Sequence, residues 1–174
     1  MAVRAKALPD QACLRERLTY NSETGDLLWR TQVPSCAAMI GKPAGSVKTN
    51  GYVCISLHGV SYLAHRLVWK LMTGADPINQ IDHIDGDRSN NKWSNLRAAS
   101  NRENCINSRV RRNNKSGATG VCWHGQRGKW RAYIVDAQRR HVSLGLFDDQ
   151  NDAKRARLLA AEKFYGEFAS DRAA

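Results

Sequence analysis

The chain has 174 residues, 42% of them hydrophobic, which allows one ordinary domain or two small ones with packed cores and excludes wholesale disorder. No stretch approaches the ~18 consecutive apolar residues of a membrane span, and the opening MAVRAKALPDQ has no apolar core long enough for a signal peptide, so a cytoplasmic protein with no membrane partner is expected. Lys and Arg number 27 against 16 Asp and Glu, a net charge of +11, and an excess of this size points to a polyanionic partner.

In chain order, residues 11–18 are predicted helical, with Leu14 and Leu18 four apart. NSETG (21–25) is a turn and DLLWR a strand. Gly41, Pro43, Gly45, Asn50 and Gly51 cut the next stretch into short strands. GYVCISL (51–57) and VSYLA (60–64) pair across a His58-Gly59 turn. HRLVWKLM (65–72) changes period: Leu67, Val68 and Leu71 share a helical face, Gly74 stops the helix and Pro77 follows. QIDHID (80–85) is a short strand running into the polar turn GDRSNN, and Trp93 and Leu96 bracket a second extended piece. Ser100-Asn101-Arg102-Glu103 fits a capping box, which predicts a helix from about Asn101 to Arg112 with Asn104 in its first turn.

Charge concentrates from here on. Residues 1–99 hold 12 basic and 8 acidic residues, whereas 102–131 hold eight basic ones (Arg102, Arg109, Arg111, Arg112, Lys115, Arg127, Lys129 and Arg131) against Glu103 alone. A patch of that density favours nucleic acid over mere solubility. The stretch RRNNKSGATG is basic, polar and glycine-containing, and 113–118 is read as a linker between a domain at 1–112 and another at 119–174. VCWH (121–124), KWRAYIVD (129–136) and RHVSLGLF (140–147) are strand-like, with turns at 125–128 and 137–138. Asp149 caps a final helix to about Tyr165, with Ala153, Ala156, Ala160 and Phe164 along one face and Gly166 as its stop. This predicts a three-stranded antiparallel sheet backed by one helix. The cysteines (Cys13, Cys36, Cys54, Cys105 and Cys122) are odd in number and form no CxxC, so neither a disulfide framework nor a thiolate zinc site is expected.

Asp82, His83, Asn95 and Asn104 fall on the strand–loop–strand–helix run. Adjacent strand residues diverge to opposite sides, so Asp82 can hold a metal while His83 addresses a nucleophile. Asp and Asn together make a hard, all-oxygen pair suited to Mg²⁺, which keeps waters and takes further ligands from phosphate. The near-neutral pKa of histidine suits proton removal from water. Taken singly, each residue reads more readily as turn or surface chemistry; the joint pattern carries the argument.

The run HRLVWKLMTG…INQIDHIDGDRSNNKWSNLRAASNRENCINSR resembles the HNH endonuclease family, with likeness to small phage- and intron-encoded members that have a ββα-metal site. TGDLLW, GSVKTNGY and AHRLVW resemble the leader of that group, so the likeness covers roughly residues 20–112. The resemblance implies His83 as general base, Asp82 and Asn104 as ligands of one divalent ion, Mg²⁺ or in its place Mn²⁺, and Asn95 as the middle residue that braces the loop and orients the base. Asn90 and Asn91 compete for that middle role; the Asn95-Leu96 dipeptide favours Asn95. Without the paired CxxC zinc sites of some members, the core is expected to rest on Trp93, Leu96, Ile81 and Ile84.

SGATGVCWHGQRGKWRAYIVDAQRRHVSLGLFDDQNDAKRARLLAAEKFYGEFA resembles an APETALA2-type DNA-binding domain, which lays a three-stranded sheet into the DNA major groove with a helix behind. By alternation Val121, Trp123, Trp130, Ala132, Ile134, Val142 and Leu144 face the helix, while Cys122, His124, Arg131, Tyr133, Val135, His141 and Ser143 face outward. Arg127, Lys129, Arg139 and Arg140 sit at strand ends or turns. Expected DNA contacts are Arg109, Arg111, Arg112, Lys115, His124, Arg127, Lys129, Arg131, Tyr133, Arg139 and His141, more to the backbone than to bases.

The expectation is therefore an α+β protein: a ββα-metal nuclease domain, then a small antiparallel sheet on one helix. It would act on double-stranded DNA in a bacterial host cell, as a phage or mobile-element enzyme, without an obligatory protein partner. A DNA-binding regulator with a non-catalytic HNH scaffold and an HNH restriction enzyme are the alternatives.

Overall fold

Short antiparallel strand pairs joined by tight turns alternate with helices along the chain. The computed structural model describes residues 7–31, 40–107, 110 and 114–169. It divides into two units, Met1–Asn101 and Arg102–Ala174. The expected α+β class holds, and among the described residues no helix is long and apolar enough to cross a membrane.

In the first unit, α1 (Gln11–Arg17) leads into β1 (Leu18–Tyr20), which pairs antiparallel with β2 (Leu27–Trp29). The intervening turn is built by Asn21, whose Oδ1 accepts from the N–H groups of Glu23 and Thr24. A three-stranded sheet follows in the order β3 (Ser46–Val47), β4 (Val53–Leu57) and β5 (Val60–Leu63). His58 and Gly59 both take positive φ, 53° and 76°, as a two-residue hairpin requires. α2 (Ala64–Thr73) buries Leu67, Val68 and Leu71 and ends at left-handed Gly74.

β6 (Gln80–His83) then pairs with β7 (Leu96–Ala99). The piece expected to be extended from Trp93 onward begins instead as a 3₁₀ turn, Trp93–Asn95, because Asn95 N–H bonds back to Lys92 O. Leu14, Leu18, Leu27, Ile55, Leu67, Val68, Ile81 and Leu96 form one apolar core, with Trp93 packed against it. Ile84, expected in that core, is 44% exposed. Strand pairing stops at His83, and the chain turns outward there.

α3 (Asn101–Ile106) spans the boundary of the two units. The helix foreseen to Arg112 thus ends six residues earlier within the described chain, at a turn on Asn107, a residue type that competes poorly in helix interiors. In the second unit β8 (Val121–His124), β9 (Lys129–Val135) and β10 (His141–Phe147) form an antiparallel sheet with β9 central. Val121, Ala132 and Ala153 centre its core, joined by Trp130, Leu144 and Phe147. Ala153 belongs to α4 (Gln150–Tyr165), where Asp149 caps the first turn by accepting from Asn151 and Asp152 N–H.

One expectation for this half changes, and two further details of the packing stand out. Trp123 is 54% exposed, edge-to-face with Trp130 at 5.3 Å, because it sits near the end of an edge strand. A register shift between Ser143 and Gly145 reverses the alternation of β10, so that Phe147 joins the core. Within the stretch read as a linker, Ser116 is buried, and its hydroxyl donates to Val121 O at 2.7 Å, so 114–118 is tied to β8.

Candidate functional site

Asp82 and His83 end β6, and strand alternation sends their side chains to opposite faces. Both are buried, 5% and 3% exposed. Asp82 lies directly opposite Arg97 on β7 and forms an ion pair with it, Oδ2 accepting from Nε at 3.0 Å and Nη2 at 2.9 Å. His83 Nε2 stands 3.2 Å from Asn91 Oδ1. Asn91 Nδ2 donates to Ser89 O at 3.0 Å, which fixes which end of the amide meets the ring. An amide oxygen can only accept, so His83 Nε2 carries the proton and Nδ1 is the basic nitrogen. Burial pushes the His83 pKa below its ordinary value, against the pull of Asn91 and of the carboxylates of Asp85, Asp82 and Asp87.

The loop between the two strands is pinned from inside. Asn95 Oδ1 accepts from Asp85 N–H at 3.0 Å, and its Nδ2 donates to Asp85 Oδ1 and to Asn90 O, each at 2.9 Å. Asn90 Nδ2 donates to Asp85 Oδ2 at 2.6 Å. Burial pushes the Asp85 pKa upward, but the amides of Asn95 and Asn90 and the N–H of Asp87 outweigh it and leave it below its ordinary value. Asn95 is thus a brace for the loop, while the amide on the histidine belongs to Asn91. The N-terminal hairpin supports Asn91 in turn. Tyr20 OH donates to Asn91 O at 3.1 Å and accepts from Trp93 N–H at 2.7 Å. Gly25, at φ 83°, packs so closely that a Cβ there would come within 2.5 Å of Lys92 N.

Sequence reasoning weighed Asn91 but did not choose it, and it missed Tyr20, Arg97 and His65. The spacing of Arg97 from Asp82 signals nothing until the two strands are paired. Asn104 lies on α3, in its first turn and half-buried, in the second unit.

Among the expected DNA contacts, Arg109, Arg111 and Arg112 lie outside the described residues. Arg131, Tyr133 and His141 come together on one face of the second unit's sheet: Tyr133 stacks on His141 at 5.0 Å, and the Arg131 guanidinium lies 5.6 Å from the Tyr133 ring centre. Lys115, Arg127 and Arg139 are exposed. Lys129 is engaged by Asp148 at 2.9 Å. His124 is half-buried, with a buried Nδ1 that has no hydrogen-bond partner among the described residues.

Comparison with known proteins bears on the first of these sites. Residues 62–105 match the family model of HNH endonucleases, a stretch that contains Asp82, His83, Asn91, Asn95 and Asn104. The chain is 36% identical over 78 residues to Protein 3.8 of Escherichia phage T7, and the match spans 44% of this chain and 64% of that protein. It is also similar to the structure described as DNA binding and cleavage by the HNH homing endonuclease I-HmuI, at 18% identity over 90% of each chain, with a TM-score of 0.42.

Proposed function

We propose that this chain is a metal-dependent DNA endonuclease of the homing type, hydrolysing one phosphodiester bond per site and so nicking double-stranded DNA. The observation that carries the reading is the His83–Asn91–Ser89 hydrogen-bond chain, lying within the stretch that matches HNH endonucleases. It defines the basic nitrogen of the ring, while burial holds the imidazole pKa below its ordinary value. In this reading His83 Nδ1 takes a proton from water. The water oxygen bonds to phosphorus and the bond to the 3′ oxygen breaks, leaving 5′-phosphate and 3′-hydroxyl ends.

Asp82 and Asn104 would hold one divalent ion, Mg²⁺ or Mn²⁺. A carboxylate–amide pair leaves the remaining positions of such an ion to water and phosphate oxygens. Asp82 is buried and paired with Arg97 at 2.9 Å. When bound, the ion supplies Lewis-acid stabilisation of the phosphate and the leaving oxygen.

The sheet of the second unit serves as an APETALA2-type targeting module. Arg131, Tyr133 and His141 face the duplex, and Lys115, Arg127 and Arg139 hold phosphates. Residues 1–112 carry the chemistry and 119–174 the choice of site.

Supercoiled plasmid incubated with Mg²⁺, with EDTA and with His83→Ala protein tests the reading. Nicking that needs the metal and His83 is expected. Binding without nicking at any metal concentration would favour a DNA-binding regulator.

A further inference from the structure

Arg88 stands in the same loop as Asn91, and no step proposed above uses it. It is exposed, yet its side chain is held at three points. The guanidinium covers the Tyr52 ring, 4.8 Å from the ring centroid. Its Nη1 donates to Asn50 O at 2.9 Å. Its stem runs along Gly51, where an added Cβ would meet Arg88 Cβ and Cδ at 3.7 Å. The platform beneath is tied together in turn. In the turn between β3 and β4, Lys48 N–H donates to Tyr52 O and Gly51 N–H to Lys48 O, each at 2.8 Å, while Asn50 Oδ1 accepts from Tyr52 N–H at 3.2 Å. Tyr52 also packs on two buried histidines, 5.3 Å from His65 in the first turn of α2 and 6.1 Å from His83, and those two rings meet edge to face at 5.1 Å.

Fixing a long cationic side chain at the surface costs rotamer entropy, and no carboxylate of the described residues forms an ion pair with Arg88 in return. Two acids lie within three residues of it, but both are engaged inside the loop. Asp85 accepts from the amides of Asn95 and Asn90, and its Oδ1 also from Asp87 N–H. Asp87 Oδ1 accepts from the N–H and hydroxyl of Ser89. A guanidinium carries five N–H donors, and Asn50 O takes up one of them.

An exposed guanidinium that is held in place and keeps donors to spare is a preorganised site for an oxyanion, which it can meet with two parallel bonds. Its place in the fold says which oxyanion. Tyr52 contacts both the guanidinium and the imidazole of His83, so one aromatic ring bridges the two. We propose that Arg88 binds a backbone phosphate of the DNA beside the bond to be cut, and so sets the strand against His83. This inference rests on reading the chain as a DNA endonuclease with His83 as its base. The competing role is a latch, in which Arg88 merely ties its own loop to the 48–52 turn.

The test measures binding of full-length wild type, Arg88→Met and Arg88→Lys to one labelled duplex in EDTA, by fluorescence anisotropy across a range of salt. Arg88→Met keeps an unbranched stem over Tyr52 and Gly51 while removing the charge, thermal melts confirm folding, and Arg15→Met on α1 is the control. In Arg88→Met the slope of log affinity against log salt should fall by about one, so the affinity gained between 200 and 50 mM salt shrinks by roughly three- to fourfold. Arg88→Lys and Arg15→Met should keep the wild-type slope. With Mg²⁺ and saturating plasmid, kcat for nicking by Arg88→Met should fall by roughly tenfold or more, because the phosphate next to the bond is no longer held. A wild-type slope in folded Arg88→Met would overturn the proposal, and with a lowered Tm it would make Arg88 the latch. A slope lowered equally in Arg15→Met would also overturn it, since net charge alone would then be read. So would Arg88→Lys as impaired as Arg88→Met, because the loss would then follow the Asn50 and Tyr52 contacts and not the charge. Unchanged kcat in Arg88→Met would refute the placement beside His83. A wild-type protein that binds the duplex but never nicks would sink the endonuclease reading instead, and the slopes in EDTA would still decide whether Arg88 holds a phosphate.

Discussion

Asp82 and Arg97 are direct cross-strand partners, and two guanidinium bonds, at 3.0 and 2.9 Å, fall on the same carboxylate oxygen. The pair lies in a ladder whose other residues are Gln80, Ile81 and His83 against Leu96, Ala98 and Ala99. Its side chains are only 12% and 6% exposed. Arg97 places its guanidinium on the carboxylate that is proposed to receive the metal ion.

Replacing Arg97 by Met removes that cation from a buried carboxylate, which should cost about 3 kcal/mol of stability in EDTA. Mg²⁺ should recover more of this loss in the variant than it adds to the wild type, since the ion substitutes for the lost charge. Urea unfolding with and without Mg²⁺ measures both. An equal metal response in the two proteins would remove Asp82 from the ligand set.

Asn91 and Asn95 should separate by phenotype. Asn91→Ala deletes the acceptor that fixes the His83 tautomer, so kcat should fall by roughly 10²-fold, the scale of general-base catalysis, with little change in Tm. Asn95→Ala removes three hydrogen bonds from the 85–95 loop and should lower stability by roughly 1–3 kcal/mol. Thermal melts alongside single-turnover nicking distinguish them. The reverse assignment of effects would restore Asn95 as the residue on the base.

Stability should fall in mild acid. The folded protein holds His65 neutral down to about pH 3, against an ordinary value of 6.5, while the unfolded chain takes up the proton. The contribution is therefore fully present above pH 6.5 and is lost as pH drops toward 3, amounting to about 2.5 kcal/mol by about pH 4.5. His83, also lowered by burial, adds in the same direction. Urea titrations at both pH values, on wild type and His65→Phe, should show a shallower pH dependence in the variant. Parallel curves would mean that His65 is protonated in the fold.

DNA binding should weaken steeply with salt. If about six phosphates are held, affinity should drop by roughly 10³-fold between 50 and 200 mM salt. Arg131→Ala should reduce the log–log slope by about one. Lys129→Ala should reduce it less, because Asp148 already neutralises that ammonium. Fluorescence anisotropy at several salt concentrations gives the slopes, and a flat response would remove the basic face as an interface.

Most elements of this protein are legible in its residue pattern. Glycines and Asn21 mark the turns, the 3.6-residue spacing of Leu67, Val68 and Leu71 marks α2, and the apolar positions of Ala132 and Ile134 mark the inner face of β9. The same pattern singled out Asp82, His83 and Asn104, because residue type and spacing are local properties. The tertiary structure alone decided which groups meet. Asn91, not Asn95, came to His83 because the 84–91 loop folds back over the strand end, and Tyr20, some seventy residues away, holds it there. Arg97 reached Asp82 through strand register, and His65 reached His83 by packing the first turn of α2 beside β6. Trp123 lost its expected core position because burial depends on what covers a residue at the sheet edge, and alternation along the strand carries no information about that.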